Sequence, residues 1–234
     1  MKFSRQSMKQ LAFSVGLLAI AMTTNAAEPE PSKPMMISEA KLPAGFPAPG
    51  PVGEVIVKTY PAHRLARTAA AAGGDDRMFM RLFGHIKRNE IAMTAPVTMD
   101  WAGDPAEQGG PESMAFLYAE PDLGKAGPDP ADAGVVVEDV PEATVASIGL
   151  RGGYGEKTFR KGAEQLAAWL AAHPEWEPAG PPRMLAYNSP FVPGLLKYSE
   201  IQRPIRPAPK PAADRTGVSD SGSQGRGPAG PSGP

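Results

Sequence analysis

Residues 75–97 read Asp75-Asp76-Arg77-Met78-Phe79-Met80-Arg81-Leu82-Phe83-Gly84-His85-Ile86-Lys87-Arg88-Asn89-Glu90-Ile91-Ala92-Met93-Thr94-Ala95-Pro96-Val97. Phe79, Phe83 and Ile86, with Leu82 beside them, recur at the three-and-four spacing of one helix face. Asp75 and Asp76 supply an N-cap, so a helix is predicted to about Arg88. Ile91 to Met99 then reads as extended. Pro96 has no N–H to give a sheet, which makes this an edge or bulged strand.

The elements continue on both sides of that stretch. Glu54 to Thr59 reads as a strand, and Pro61 separates it from a second at Ala62 to Thr68. Strands follow at Met114 to Ala119, Val135 to Glu138 and Thr144 to Leu150. Glu156 to Ala172 is a second helix with Phe159, Ala163, Leu166 and Leu170 on one face, and strands at Arg183 to Asn188 and Lys197 to Arg203 close the series. The order strand, strand, helix, strand, strand thus occurs twice. Eighty residues on, Pro61 falls on Pro141, Ala66 on Ala146, Gly73 on Gly153, Phe79 on Phe159 and Ile86 on Leu166. A duplicated ββαββ unit is the expectation, giving an α+β domain of eight strands and two helices.

The chain has 234 residues, 28 prolines, 26 glycines, no cysteine and a formal net charge of −1. Absent cysteine excludes disulfides, thiolate metal sites and C-x-x-C-H haem attachment. The charge lacks the basic excess of a nucleic-acid binder. Lys2, Arg5 and Lys9 precede an apolar run from Leu11 to Ala21, and Thr24-Asn25-Ala26 offers small residues for cleavage. Residues 1–26 therefore read as a secretory signal peptide, with a run too short to span a bilayer. This predicts export to the periplasm or beyond, with no membrane span after cleavage. Residues 27–52 read as a Pro-rich linker and 204–234 as a Pro/Gly/Ser-rich tail, because neither buries enough apolar surface to offset chain entropy. The folded domain is expected over 53–203.

His63, His85 and His173 form no metal-ligand spacing, and there is no G-x-S-x-G elbow. Gly152-Gly153-Tyr154-Gly155-Glu156-Lys157-Thr158 has Glu156 where a phosphate loop needs glycine. It reads as a turn into the second helix, with the carboxylate set against the helix dipole. No enzyme is expected.

The run Met80-Arg81-Leu82-Phe83-Gly84-His85-Ile86, with Ile91-Ala92-Met93-Thr94-Ala95-Pro96-Val97, resembles the signature of the SOUL haem-binding family. Tyr60-Pro61, Gly153-Tyr154, Phe159, Tyr187-Asn188 with Pro190-Phe191, and Glu200-Ile201 extend the resemblance over about residues 52–203. It implies a distorted eight-stranded β-barrel flanked by two helices. It also implies non-covalent binding of haem, of the b type, or another porphyrin, by a carrier or buffer without turnover. The alternative is a module of the same fold for another small apolar ligand or a protein partner. The chain departs from the pattern in two places: His85 stands where the family has tyrosine, and the spacer before Ile91 is short.

Such a ligand needs a flat apolar surface, polar groups for propionates and an axial ligand to iron. Met80, Phe83 and Met93 are candidates for the surface and Arg81 for a propionate. Phe79 and Ile86 read as core, while Met80 and Phe83 fit either role. His85 ranks first as axial ligand, His63 second and His173 third.

Overall fold

A computed structural model describes residues 40–70, 74–101 and 109–209. The predicted signal peptide, the predicted linker up to residue 39, Gly73 of the Gly73/Gly153 pair and the predicted tail from residue 210 lie outside the described residues. The elements run β1 (Val55–Tyr60), β2 (His63–Ala69), α1 (Gly74–Arg88), β3 (Val97–Trp101), β4 (Pro111–Leu117), β5 (Gly127–Asp129), β6 (Asp132–Val140), β7 (Ala143–Arg151), α2 (Glu156–Ala172), β8 (Trp176–Pro178), β9 (Arg183–Ala186) and β10 (Tyr198–Pro207). Both helices lie close to their predicted ranges. Asp75 and Asp76 sit inside the first turn of α1 rather than before it, where a carboxylate still favours the positive end of the helix. Glu156 has the same place in α2 and pairs with Arg160 one turn on, at 3.0 Å.

The fold is α+β, with one mostly antiparallel sheet in the order β1-β7-β10-β9-β3-β4-β2-β6-β5, and β8 added alongside β10. The expected barrel does not form, because the sheet stays open. Closure would require β6 to bond β1, but the outer edge of β6 is taken by β5. That strand is three residues long, carries Pro128 at its centre and ends in a register shift. A short, proline-bearing edge terminates hydrogen bonding. Among the described residues the sheet also has ten strands rather than eight, since β5 and β8 lie in stretches that Pro and Gly mark as loops. Ile91 to Pro96 is irregular, and the strand begins only at Val97.

Without β5 and β8, the strand order reads alike from either end when β1 is exchanged for β6, β7 for β2, β10 for β4 and β9 for β3. The register follows the same rule. His63 pairs with Val140, and the positions eighty residues away, Ala143 and Tyr60, pair with each other.

Both helices pack on one face of the sheet. Met78, Leu82 and Ile86 from α1, with Phe159, Ala163 and Leu166 from α2, join Ala66, Met99, Phe116, Ala146, Ile148, Met184 and Ile201 in the main core. Strand alternation sends the intervening residues to the other face. There, residues 40–52 form a strap in place of a helix. Ala95 N–H bonds Lys41 O and Ala44 N–H bonds Ala119 O, while Leu42 and Phe46 pack on apolar residues of the sheet. The stretch that composition marks as linker is thus, from residue 40, laid against the sheet. Its prolines favour the extended backbone a strap requires. At the other end β10 runs on to Pro207, and Ala208 N–H bonds Glu175 O.

At the centre of the strap-covered face lies Glu200, with no exposure. Its carboxylate accepts from Gly50 N–H (2.5 Å), Lys58 Nζ (2.6 Å), Ser147 Oγ (2.9 Å) and Gln202 Nε2 (3.0 Å), and lies 3.1 Å from Tyr198 Oη, whose single proton is shared with the closer Gly50 O. Burial pushes its pKa up, but the Lys58 charge and these bonds outweigh burial and hold it below the usual carboxylate range. The stabilisation is therefore complete above that range and is lost as pH falls below it. No helix among the described residues is long and apolar enough to cross a membrane.

Two predictions follow from packing and charge. A Cβ on Gly162 of α2 would sit 2.6 Å from Ile201 Cβ and 3.0 Å from Leu150 Cδ1. Gly162→Ala gains up to about 1 kcal/mol of helix propensity, against about 1–3 kcal/mol of overpacking. Urea unfolding should show a net loss on the order of 1 kcal/mol, and a gain would mean that α2 moves freely off β10. Lys58→Met leaves Glu200 buried and unpaired, a loss of about 3–5 kcal/mol. Adding Glu200→Gln should restore most of the lost urea midpoint.

Candidate functional site

The strap-covered face carries polar side chains because β1, β2, β3, β9 and β10 each turn alternate residues toward it. From β1 it receives Lys58 and Tyr60, from β2 His63 and Leu65, and from β3 Thr98. Leu117 comes from β4, Arg183 and Leu185 from β9, and Glu200 and Gln202 from β10. Phe46, Tyr60, His63, Thr98, Leu117, Arg183 and Leu185 enclose a depression in this face. The Phe46 ring forms one wall of it, edge-on to Tyr60 and to His63, with both centroid separations 5.0 Å. The space left is on the order of one water molecule.

His63 is buried, and its Nδ1 lies 2.8 Å from Pro61 O. A carbonyl only accepts, so Nδ1 carries the proton and Nε2 keeps its lone pair. Burial lowers the pKa of the ring, and the Arg183 and Arg67 charges add to this against the Pro61 bond. The imidazole is thus held in the neutral form that binds a metal, with Nε2 unused among the described residues. Arg183 is half-buried, and burial lowers its pKa as well. Tyr60 and Tyr198 are raised by burial first and by the Glu200 charge second, so both phenols are protonated donors.

The other predicted residues lie elsewhere. His85 is on the inner side of α1, 4% exposed. Its Nδ1 is 2.7 Å from Asp129 Oδ2 and its Nε2 is 2.7 Å from Tyr118 Oη. Both ring nitrogens are engaged, so the structure gives His85 a different place from the expected axial ligand: it fastens β5 to α1. Burial alone would raise the Asp129 pKa, but bonds from His85, Ala131 N–H and Arg88 hold it at about 2. Burial pushes the Tyr118 phenol up to about 12.

Met80 and Phe83 face outward on α1, at 61% and 39% exposure. Phe83 stacks on Phe79, whose other contact is Phe116 in the core. Arg81 pairs with Asp132 at 3.0 Å, and Met93 packs half-buried on the main core. His173 ends α2, with Nδ1 2.7 Å from Trp169 O and its ring stacked on Trp169. The six predicted binding residues therefore do not converge, and the sheet separates His63 from His85. Sequence reasoning missed Phe46, Thr98, Leu117, Arg183 and Leu185. The period-two alternation of β3, β4 and β9 would have placed all but Phe46 on the His63 face. Among the described residues, no three His, Cys, Asp or Glu side chains are grouped to hold a metal ion.

For a haem, the residues at this depression fit chemically. His63 Nε2 suits iron and the Arg183 guanidinium suits a propionate. The space present is water-sized, and the Phe46 side chain alone would free room for only about one phenyl ring, so a haem enters only if the strap itself moves off this face.

Comparison with solved structures recovers the fold. An uncharacterized conserved protein from Listeria innocua aligns at 8% identity with a TM-score of 0.51, covering 67% of this chain and 94% of its own. EcmrR, in its complex with DNA, aligns at 13% identity and a TM-score of 0.51, over 66% of this chain. The chain spans 58% of the EcmrR chain. These likenesses show the fold alone. No curated protein matches the chain. The family model described as SOUL heme-binding protein matches residues 53–204, well over half of the chain and β1 through nearly all of β10. The signature read from Met80 to Val97 thus belongs to a match spanning the whole sheet, and the chain is a member of the SOUL heme-binding protein family.

Proposed function

We propose that the protein binds a tetrapyrrole, haem or another porphyrin, non-covalently, and acts as a carrier or buffer without turnover. One observation at the site carries this reading: His63, neutral and fixed in one tautomer by Pro61, lines the strap-covered depression with its Nε2 in no hydrogen bond among the described residues. Family membership supplies the ligand class. When bound, the haem would supply the iron centre and its spectrum. The chain would supply an imidazole to the iron, a guanidinium to a propionate, and the apolar Leu117 and Leu185 to the macrocycle. The strap, Phe46 with it, must move away first.

The further parts of the proposal rest on sequence pattern. Lys2 to Ala26 supports export to the periplasm or beyond, and the net charge of −1 supports a ligand other than nucleic acid. We also read the domain as a duplicated ββαββ unit, supported by the palindromic strand order and the register repeated at eighty residues.

Haemin titrated into the protein should give a saturable Soret shift, with the haem intact for hours under reducing conditions. His63→Ala should abolish the ligation signature, while His85→Ala leaves it in place. Since the His63 pKa lies below 6.5, ligation should persist at pH 6.5 and fail only on further acidification. A Soret shift unchanged in His63→Ala would remove the residue from the site. No saturable shift would remove the tetrapyrrole.

A further inference from the structure

The strap precedes the family-matched residues 53–204, yet it is bound tightly to the sheet. Tyr198 Oη donates to Gly50 O at 2.6 Å, Lys58 Nζ to Ala48 O at 2.8 Å, and Gly50 N–H to Glu200. What it places in the depression is one benzyl group, held edge-on by an aromatic ring and an imidazole. The place that Phe46 takes between Tyr60 and His63 is thus one occupied by a six-membered aromatic ring, which the chain itself provides.

Charges elsewhere on this face are matched. Lys58 is paired with Glu200, and Arg67 with both Asp100 and Glu138. Arg183 is not. Among the described residues its guanidinium makes one hydrogen bond, Nε to Gln202 Oε1 at 3.3 Å, and no ion pair. Asp100, opposite it in the β3–β9 register, is held by Arg67 and Ser113. A guanidinium carries five N–H donors in a planar fork, and among the described residues the two terminal nitrogens of Arg183 have no hydrogen-bond acceptor. The buried Thr98 hydroxyl, on the same wall, has no described hydrogen bond either. Donors without acceptors beside the place of an aromatic ring call for an anion attached to a ring, and a carboxylate matches the fork two bonds at a time.

We propose that the depression is a gated site for a small aromatic carboxylate: the ligand's ring takes the place of the Phe46 side chain, and its carboxylate accepts from the terminal nitrogens of Arg183 and from Thr98 Oγ1. Phe46 is the gate, and it sets affinity by competing with the ligand ring. The inference rests on taking this depression as the binding site. It extends the reading above by naming a ligand group that needs no iron.

The test is calorimetric titration of the full chain with benzoate and, as the neutral control, toluene. Phe46→Ala should bind benzoate at least about tenfold more tightly than the unaltered chain, because the gate no longer competes. It should also prefer benzoate to toluene by about tenfold or more, the scale of a charge-assisted bond. Adding Arg183→Gln should erase that preference while leaving toluene binding unchanged. Phe46→Leu, which keeps an apolar side chain on the strap, serves if the alanine variant does not fold. Arg183→Gln in the unaltered strap gives a third arm. Equal affinity for benzoate and toluene, or a preference untouched by Arg183→Gln, overturns the proposal. Haemin titration of the same variants separates the two readings. Haemin uptake without benzoate preference sinks this inference alone, and benzoate preference without haemin uptake sinks the tetrapyrrole alone.

Discussion

A carboxylate with no exposure has to be satisfied on every side, and Glu200 sets the arrangement of the face on which it lies. Moving one such charge out of water costs several kcal/mol even after relaxation. The offset comes from groups far apart in the chain: the Gly50 backbone, Lys58, Ser147, Tyr198 and Gln202. Three strands and the strap therefore meet at one pair of oxygens. Position along the strap follows from this. Gly50 N–H must reach the carboxylate, so Phe46, four residues earlier, arrives over Tyr60 and His63. The same network leaves Lys58 without spare charge, so Arg183 is the cation that faces the depression unpaired.

Much of the sheet was legible because burial on one face imposes alternation. Val145, Ser147 and Gly149 face the strap, while Ala146, Ile148 and Leu150 face α2. The helices were legible from Phe79, Leu82 and Ile86 and from Phe159, Ala163 and Leu166, whose spacing has one physical cause. β5 and β8 were not, since three-residue strands carry no period and Pro128 and Pro178 read as breakers. The open sheet escaped for the same reason: a short edge strand decides closure, and local sequence marks it only as a loop. The strap escaped because composition measures what a segment can bury alone. Leu42 and Phe46 are too few to build a core, but two apolar side chains suffice to dock on a core that already exists.

The site divides along the same line. His63 was recognisable as a candidate because it alternates with Leu65 on a strand. His85 was ranked above it because it stands beside an apolar helical stripe, a position from which sequence cannot tell an outward ligand from an inward structural residue. The deciding partners, Asp129 and Tyr118, lie 44 and 33 residues away. Arg183 drew no attention, because an arginine near a strand start is ordinarily solvated. The register sets Asp100 opposite it, and only the side-chain pairing of Asp100 with Arg67 shows that Arg183 makes no ion pair of its own among the described residues.

The pairing of β1 with β7 and of β2 with β6 has a consequence for how the chain is assembled. The first two strands form no hairpin with each other. Among the described residues β1 bonds only β7, and β2 lies between β4 and β6. Each half of the chain thus lends its outermost long strand to the other half, as two subunits do when they exchange arms, except that here one polypeptide does so with itself. Val55 finds its partner at Ile148, so β1 emerges from synthesis long before anything exists for it to bond. Until β7 appears, its donors and acceptors are an open edge able to capture a strand from another molecule. Mutual lending makes the two halves indivisible, and it delays the completion of the sheet until nearly the whole domain has been made.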